Sequence, residues 1–297
     1  MTKGINSNYQ STYIPLNAKH VYNNQEDYCY LKVDKKGRPL ASIHARRLAW
    51  DTEVLGIPCA RIDSLWMESE DALPQLTDGL KQILEKMNCD GIQFCDLRIG
   101  LHAYNLIHLA EKQGFLLMDV LNVYLSAKPP ATLARDNSEY NIIVPIVPTN
   151  DKVRQAVEFG MHSFQYSRMH QDRNICSKNA NHFYCQLIGD FLGNPGNYIG
   201  MALDKDGNVA GVFVGCPDQD IPVNGGVGYL WLIAVHEKHT KRTLGRQLLN
   251  HFLTGMHKRC SLIEIGTQVN NIAANSLYCN SNLPIIAHVA SFHKWFH

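Results

Sequence analysis

The segment Tyr229–Leu249, YLWLIAVHEKHTKRTLGRQLL, joins an apolar run ending at Val235 to a helical pattern through a loop rich in basic residues. Gly245 falls in the first turn of that helix. A helix start offers backbone N–H groups with no internal acceptor and the positive end of the helix dipole, which together hold phosphate oxygens. Lys238, His239, Lys241, Arg242 and Arg246 surround this point. A solvated basic loop before a surface helix is the other reading of the same residues.

Beginning eighteen residues after Leu249, Thr267–Tyr278 reads TQVNNIAANSLY. Asn271, Ala274 and Tyr278 stand at i, i+3 and i+7, so a helix puts all three on one face. Asn271 can cap that helix and still offer its amide to a ligand. Tyr278, two turns on, is placed to project into the same cleft; an isolated aromatic on a short helix is otherwise a core residue.

These groups need elements to position them. In the second half, Tyr140–Ile146 reads as a strand, Lys152–Phe159 as a helix, Ser163–Asn174 as a polar and aromatic loop, and Lys178–Leu192 as a helix. Asn197–Leu203 and Val209–Gly215 flank an Asp-Gly hairpin signal. Then follow the strand Val227–Val235, the basic loop, a helix bearing Leu244, Leu248, Phe252 and Met256, the strand Ser261–Val269, a short helix from Asn271, and a strand pair near Ile285–Phe296. In the first half, Ser42–Leu48, Ala60–Leu65, Gly91–Leu97 and Phe115–Leu125 read as strands, with helices over Leu73–Met87 and His102–Gln113. Helices alternate with strands, so the class is α/β with a mixed sheet. Lys128–Ser138 (KPPATLARDNS) breaks both periodicities, which predicts one domain over 1–130 and another over 137–297.

A chain of 297 residues, 45% apolar and 19% charged, suits two ordinary domains with real cores. A formal charge of +1 gives no global reason to expect nucleic acid or an anionic membrane as partner. Nine scattered cysteines without a CxxC pair, no secretory signal and no run of eighteen apolar residues predict a soluble, cytoplasmic protein with reduced thiols. His236 and His239 sit three apart, but in a basic loop without acidic or thiol partners at ligand spacing, so no metal is expected.

Strand, basic loop and helix, followed by strand and N-x-x-A-x-x-x-Y, resemble the GCN5-related N-acetyltransferase (GNAT) superfamily. The resemblance implies the acyl-CoA N-acyltransferase fold and acetyl-CoA as co-substrate. By position, Ile233 and Val235 would pair with the pantetheine arm, and an amide near Val235 would polarise the thioester oxygen. Lys241, Arg242, Thr243, Leu244, Gly245 and Arg246 would cradle the pyrophosphate, Asn271 would contact the coenzyme, and Tyr278 would be the general acid. Thr240 and Thr243 depart from the usual Gln or Arg and first Gly of the loop, and Asn282-Leu283 replaces the usual Gly-Phe. Glu264, on the strand leading to Thr267, is the candidate general base through water; a solvent-facing carboxylate is the alternative.

A narrower resemblance is to nucleotide-sugar N-acetyltransferases of the dTDP-fucosamine acetyltransferase type. It rests on the blocks LAWDTEVLG (48–56), GFLLMD (114–119), FQYSRMHQD (164–172) and Thr267-Gln268. It implies a small-molecule amine acceptor on a nucleotide-linked amino-dideoxysugar, held by Phe164, Tyr166, Arg168, Asp172 and Gln268. An ordinary loop held by its own aromatics is the competing reading of 164–172. The first half reads as a degraded copy of the same fold that walls the acceptor cleft, since its loop WMESEDALPQL is acidic and would repel phosphate. Another small-molecule or protein amine as acceptor, or a non-catalytic acyl-CoA-binding protein, remain alternatives, and a homodimer is left open.

Overall fold

The computed structural model describes residues 27–130, 139–218, 225–240 and 243–296. The elements in chain order begin with β1 (Tyr28–Val33), β2 (Pro39–Arg47), α1 (Ala49–Leu55), β3 (Cys59–Met67), α2 (Leu73–Cys89), β4 (Phe94–Gly100), α3 (Tyr104–Lys112) and β5 (Leu116–Ser126). They continue with β6 (Asn141–Ile143), α4 (Asn150–Gly160), α5 (Arg168–Gln171), α6 (Ser177–Gly193), β7 (Tyr198–Leu203), β8 (Val209–Asp218) and β9 (Val227–Val235). The last four are α7 (Leu244–Met256), β10 (Leu262–Gln268), α8 (Ile272–Cys279) and β11 (Ile285–Trp295). Among the described residues, no helix is long and apolar enough to cross a membrane.

Two compact units share this chain. One takes the described residues up to Leu121, Gln171–Asn174 and the residues from Ala287 on. The other takes Asn122–His170 and Ile175–Ile286. The sequence of elements repeats: a hairpin, a third antiparallel strand, a helix, a parallel strand and a second helix occur as β1-β2-β3-α2-β4-α3 and again as β7-β8-β9-α7-β10-α8. The strand order is β1-β2-β3-β4-β11 in the first unit, so the C-terminal strand completes the N-terminal sheet. In the second unit the order is β5-β10-β9-β8-β7-β6, with β5 entering it from Asn122. Where a terminal strand pair was expected, β11 is one continuous strand, antiparallel to β4 from Val289↔Gly100 to Trp295↔Phe94.

The core of the first unit is Ile43, Ile62, Leu76, Leu80, Met87 and Phe292 under α2. In the second, α7 buries Leu244, Leu248, Leu249, Phe252 and Met256 on one sheet face, at the spacing that predicted the helix. The opposite face packs Ile199, Met201, Val212, Leu232 and Ala234 against α4 and α6. The loop expected over Ser163–Asn174 contains a 3₁₀ turn at Met161–Phe164 and the short α5.

Each copy carries the same irregularity. In β9, Val214 pairs with Leu232 and Gly215 with Leu230, so Trp231 is an extra residue, a β-bulge. In β3, His44 pairs with Ser64 and Ala45 with Ile62, which leaves Asp63 in the equivalent place. Both parallel ladders stop there, at Ile62↔Leu97 and at Leu230↔Ile265.

Candidate active site

Beyond Leu230 and Ile265, β9 and β10 no longer pair, and a cleft of about 1160 Å³ opens at the C-terminal end of β9. Its floor is Ile233–His236. One bank is α4 and the following turn, with Glu158, Phe159, His162 and Tyr166. The other is the start of α7, with Thr243, Gly245 and Arg246, and residues 270–280 around α8.

The helix start is built as its sequence requires. The first helical donation within α7 is from Gln247 N to Thr243 O, so the amides before it have no acceptor inside the helix. Thr243 makes no side-chain cap there. A Cβ on Gly245 would meet only Leu277 and Val235, each at 3.8 Å, so no protein atom demands glycine at this position. Lys241 and Arg242 lie outside the described residues.

Asn271 caps α8: its Oδ1 accepts from Ala274 N at 3.2 Å. The turn after Tyr278 needs a left-handed residue, and Asn282 supplies it with φ 55°. Ile233, Val235, Thr243, Gly245, Arg246, Asn271 and Tyr166 therefore share one cleft.

Other expected site residues are elsewhere. Leu244 is wholly buried in the core, so it can offer a ligand only its backbone. Tyr278 is 3% exposed and not a wall residue; its ring lies 5.2 Å from that of Tyr124, although its neighbours Leu277 and Ala274 do line the cleft. Glu264 is fully buried, opposite Tyr229 in the β9–β10 ladder. Alternation along β10 puts it on the face away from Ile263 and Ile265, which lie in the core under α7. Phe164 stacks on Tyr184 with centroids 4.4 Å apart, as a loop held by its own aromatics would. Arg168 is half-buried and off the cleft wall, and the Gln268 carbonyl accepts from Asn275 Nδ2 at 2.8 Å.

Asp172 belongs to the N-terminal unit. It accepts from His293 Nδ1 at 2.7 Å, Trp295 Nε1 at 2.9 Å and Asn174 N at 2.9 Å. Burial alone would raise its pKa, but the donors, His293 foremost, hold the carboxyl below its ordinary value. Its contacts tie the Gln171–Asn174 segment to β11.

The sequence patterns did not single out Glu158, His162 or Asn270 as cleft residues, and they gave His236 no such role. His236 was findable, since it directly follows the strand whose end forms the floor. Its Nδ1 accepts from Lys238 N at 3.2 Å and so caps the 3₁₀ turn Glu237–His239.

The splayed strands, the helix start and the capped α8 agree with a family comparison. The Acetyltransferase (GNAT) family model matches residues 157–280. This stretch is similar to GNAT acetyltransferase domains. The match supports an N-acetyltransferase, and the GNAT family uses acetyl-CoA. The GNAT fold extends beyond the matched stretch. A tandem GNAT protein from the clavulanic acid biosynthesis pathway, solved without AcCoA, superposes with a TM-score of 0.59 at 13% identity, covering 90% of this chain and 82% of that one. A GCN5-related N-acetyltransferase from Sphaerobacter thermophilus gives 0.61 at 16% identity, covering 91% and 81%. One from Kribbella flavida gives 0.56 at 10% identity, covering 86% of both chains. No curated protein sequence matches the chain. The N-terminal unit is thus a degenerate half-copy of the GNAT fold and the second unit the complete one.

Proposed function

We propose that the cleft at the C-terminal end of β9 binds acetyl-CoA and passes its acetyl group directly to the amine of a small molecule. The observation that carries this reading is the ladder that stops at Leu230↔Ile265 and opens onto a helix start lined by Thr243, Gly245 and Arg246. The pantetheine arm runs along β9 beside Ile233 and Val235, and the pyrophosphate rests on the amides opening α7, with Arg246 as counter-charge; Lys241 and Arg242 precede that helix in the sequence. Backbone N–H groups of β9 polarise the thioester carbonyl as negative charge develops on its oxygen.

The attacking amine must be neutral. It adds to the thioester carbon, the C–S bond breaks, and the departing thiolate takes a proton. Tyr278, adjacent to the wall residue Leu277, is the proposed donor, since a phenolic hydroxyl can give its proton once thiolate character develops. Glu264, buried in β10, would act as base only through water reaching the far side of its strand.

For the acceptor, the sequence resemblance supports a nucleotide-linked amino-dideoxysugar, with Tyr166 on the cleft wall available to stack on a ring. A second reading has its own support: Arg168 is off the wall while Glu158 is on it, which suits a cationic amine without a diphosphate. Thiol release from acetyl-CoA, followed with a panel of dTDP- and UDP-aminosugars and simple diamines and polyamines, separates the two. Turnover confined to the nucleotide sugars supports the first acceptor, turnover confined to the simple amines supports the second, and none with any amine removes the transferase reading.

A further inference from the structure

The α8 bank of the cleft is a helix of 8 residues, too short to hold itself. Its Ile272 is 76% exposed, so apolar burial anchors its first turn poorly. Something else must fix the turn from β10 into α8, because Asn270, Asn271, Ile272 and Ala273 on that turn are all cleft walls.

Asn275 has the contacts to do so. Its Nδ2 donates to Gln268 O at 2.8 Å, Val269 O at 3.3 Å and Asn271 O at 2.8 Å, joining the end of β10 to the cap of α8. These three carbonyls can only accept, which settles which end of the amide faces them. Oδ1 therefore faces β5, where it accepts from Asn122 Nδ2 at 2.8 Å and Tyr124 Oη at 2.7 Å. Tyr124 is almost fully buried and its ring lies against Tyr278. All of these residues belong to the same compact unit.

We infer that Asn275 is a positioning residue for the coenzyme: it clamps the β10–α8 turn so that Asn271 and the first turn of α8 meet acetyl-CoA, and Asn122 and Tyr124 hold its amide in place. The inference rests on the acyl-CoA reading of the cleft. Without the clamp, the Gln268 and Asn271 carbonyls lose their side-chain donor and the turn relaxes. The loss falls on coenzyme binding, while the reacting groups, once the coenzyme is bound, are unchanged.

The test is the split between KM and kcat in the full chain, with acetyl-CoA as the varied substrate and calorimetry for its Kd. Asn275→Ala removes the whole clamp. Asn275→Asp keeps an acceptor for Asn122 and Tyr124 but loses the donor to the carbonyls. Both are expected to raise KM and Kd for acetyl-CoA about tenfold or more, with kcat at saturating coenzyme within about threefold of wild type. The double variant Asn122→Ala/Tyr124→Phe leaves Asn275 in place, and a smaller rise of the same kind is expected. If the Asn275 variants do not fold, the double variant decides, and a wild-type KM in it overturns the inference. Folded Asn275 variants with unchanged KM, or with kcat lost at constant KM, also overturn it. Failure of the underlying reading is seen separately, as wild-type protein that binds no acetyl-CoA.

Discussion

Leu230 and Ile265 are the last partners in the ladder between β9 and β10, and the bulge residue Trp231 follows immediately. Up to that pair the two strands share a parallel ladder; past it, among the described residues, β9 continues its ladder with β8. Trp231 itself stacks on Phe191 of α6, with centroids 4.7 Å apart, which stabilises the bulged conformation from outside the cleft.

The bulge depends on Gly215. A Cβ there would stand 2.1 Å from Tyr229 O and 2.6 Å from the Phe252 ring. Backbone cannot yield to that overlap without breaking the register. Gly215→Ala is expected to cost about 3 kcal/mol or more in urea unfolding; a variant as stable as wild type would show that the bulge tolerates a side chain.

Gly245 separates stability from binding. Alanine there meets nothing closer than 3.8 Å, and in a helix it is favoured over glycine by about 0.5–1 kcal/mol. Gly245→Ala is therefore expected to raise Tm slightly. If the coenzyme pyrophosphate approaches this backbone, the same variant weakens acetyl-CoA binding about tenfold or more by calorimetry. Unchanged affinity would move the pyrophosphate away from the α7 start.

Tyr278→Phe tests the proton donor. The ring and its packing on Tyr124 are retained, so Tm and the Kd for acetyl-CoA should hold. Turnover should fall by ~10²–10⁴. Wild-type turnover would leave Tyr278 as a core residue only.

Asp172 predicts how the N-terminal unit responds to acid. Its folded pKa lies below the unfolded value, so its contribution to stability is full above the unfolded pKa, near 4, and is lost as pH falls through the folded value. Thermal unfolding should show Asp172→Ala destabilised by about 3 kcal/mol at pH 7. The gap to wild type should narrow as the pH is lowered below 4; a constant gap across pH would mean that the carboxylate charge contributes nothing.

What was legible in the sequence follows from what each signal measures. Apolar periodicity gave α7, and the N-x-x-A-x-x-x-Y register gave the cap at Asn271, because both are local. The bulge at Trp231 was not legible, since YLWLI carries no glycine or proline to mark it; the constraint lies across the ladder, in Gly215. Helix α1 appeared only as the block LAWDTEVLG, although Gly56 ends it in the left-handed region with φ 71°. The orientation of Glu264 and the engagement of Asp172 by β11 depend on contacts distant in sequence, which no spacing rule reaches. Nothing local marks Asn275, because its partners Asn122 and Tyr124 lie some 150 positions earlier.

The most direct test is a crystal structure of the protein soaked with acetyl-CoA. The account predicts pantetheine density along Ile233–Val235, with the pyrophosphate on the amides opening α7 and the thioester between β9 and α8. Coenzyme bound at another site, or a cleft that stays empty at saturating acetyl-CoA, contradicts it.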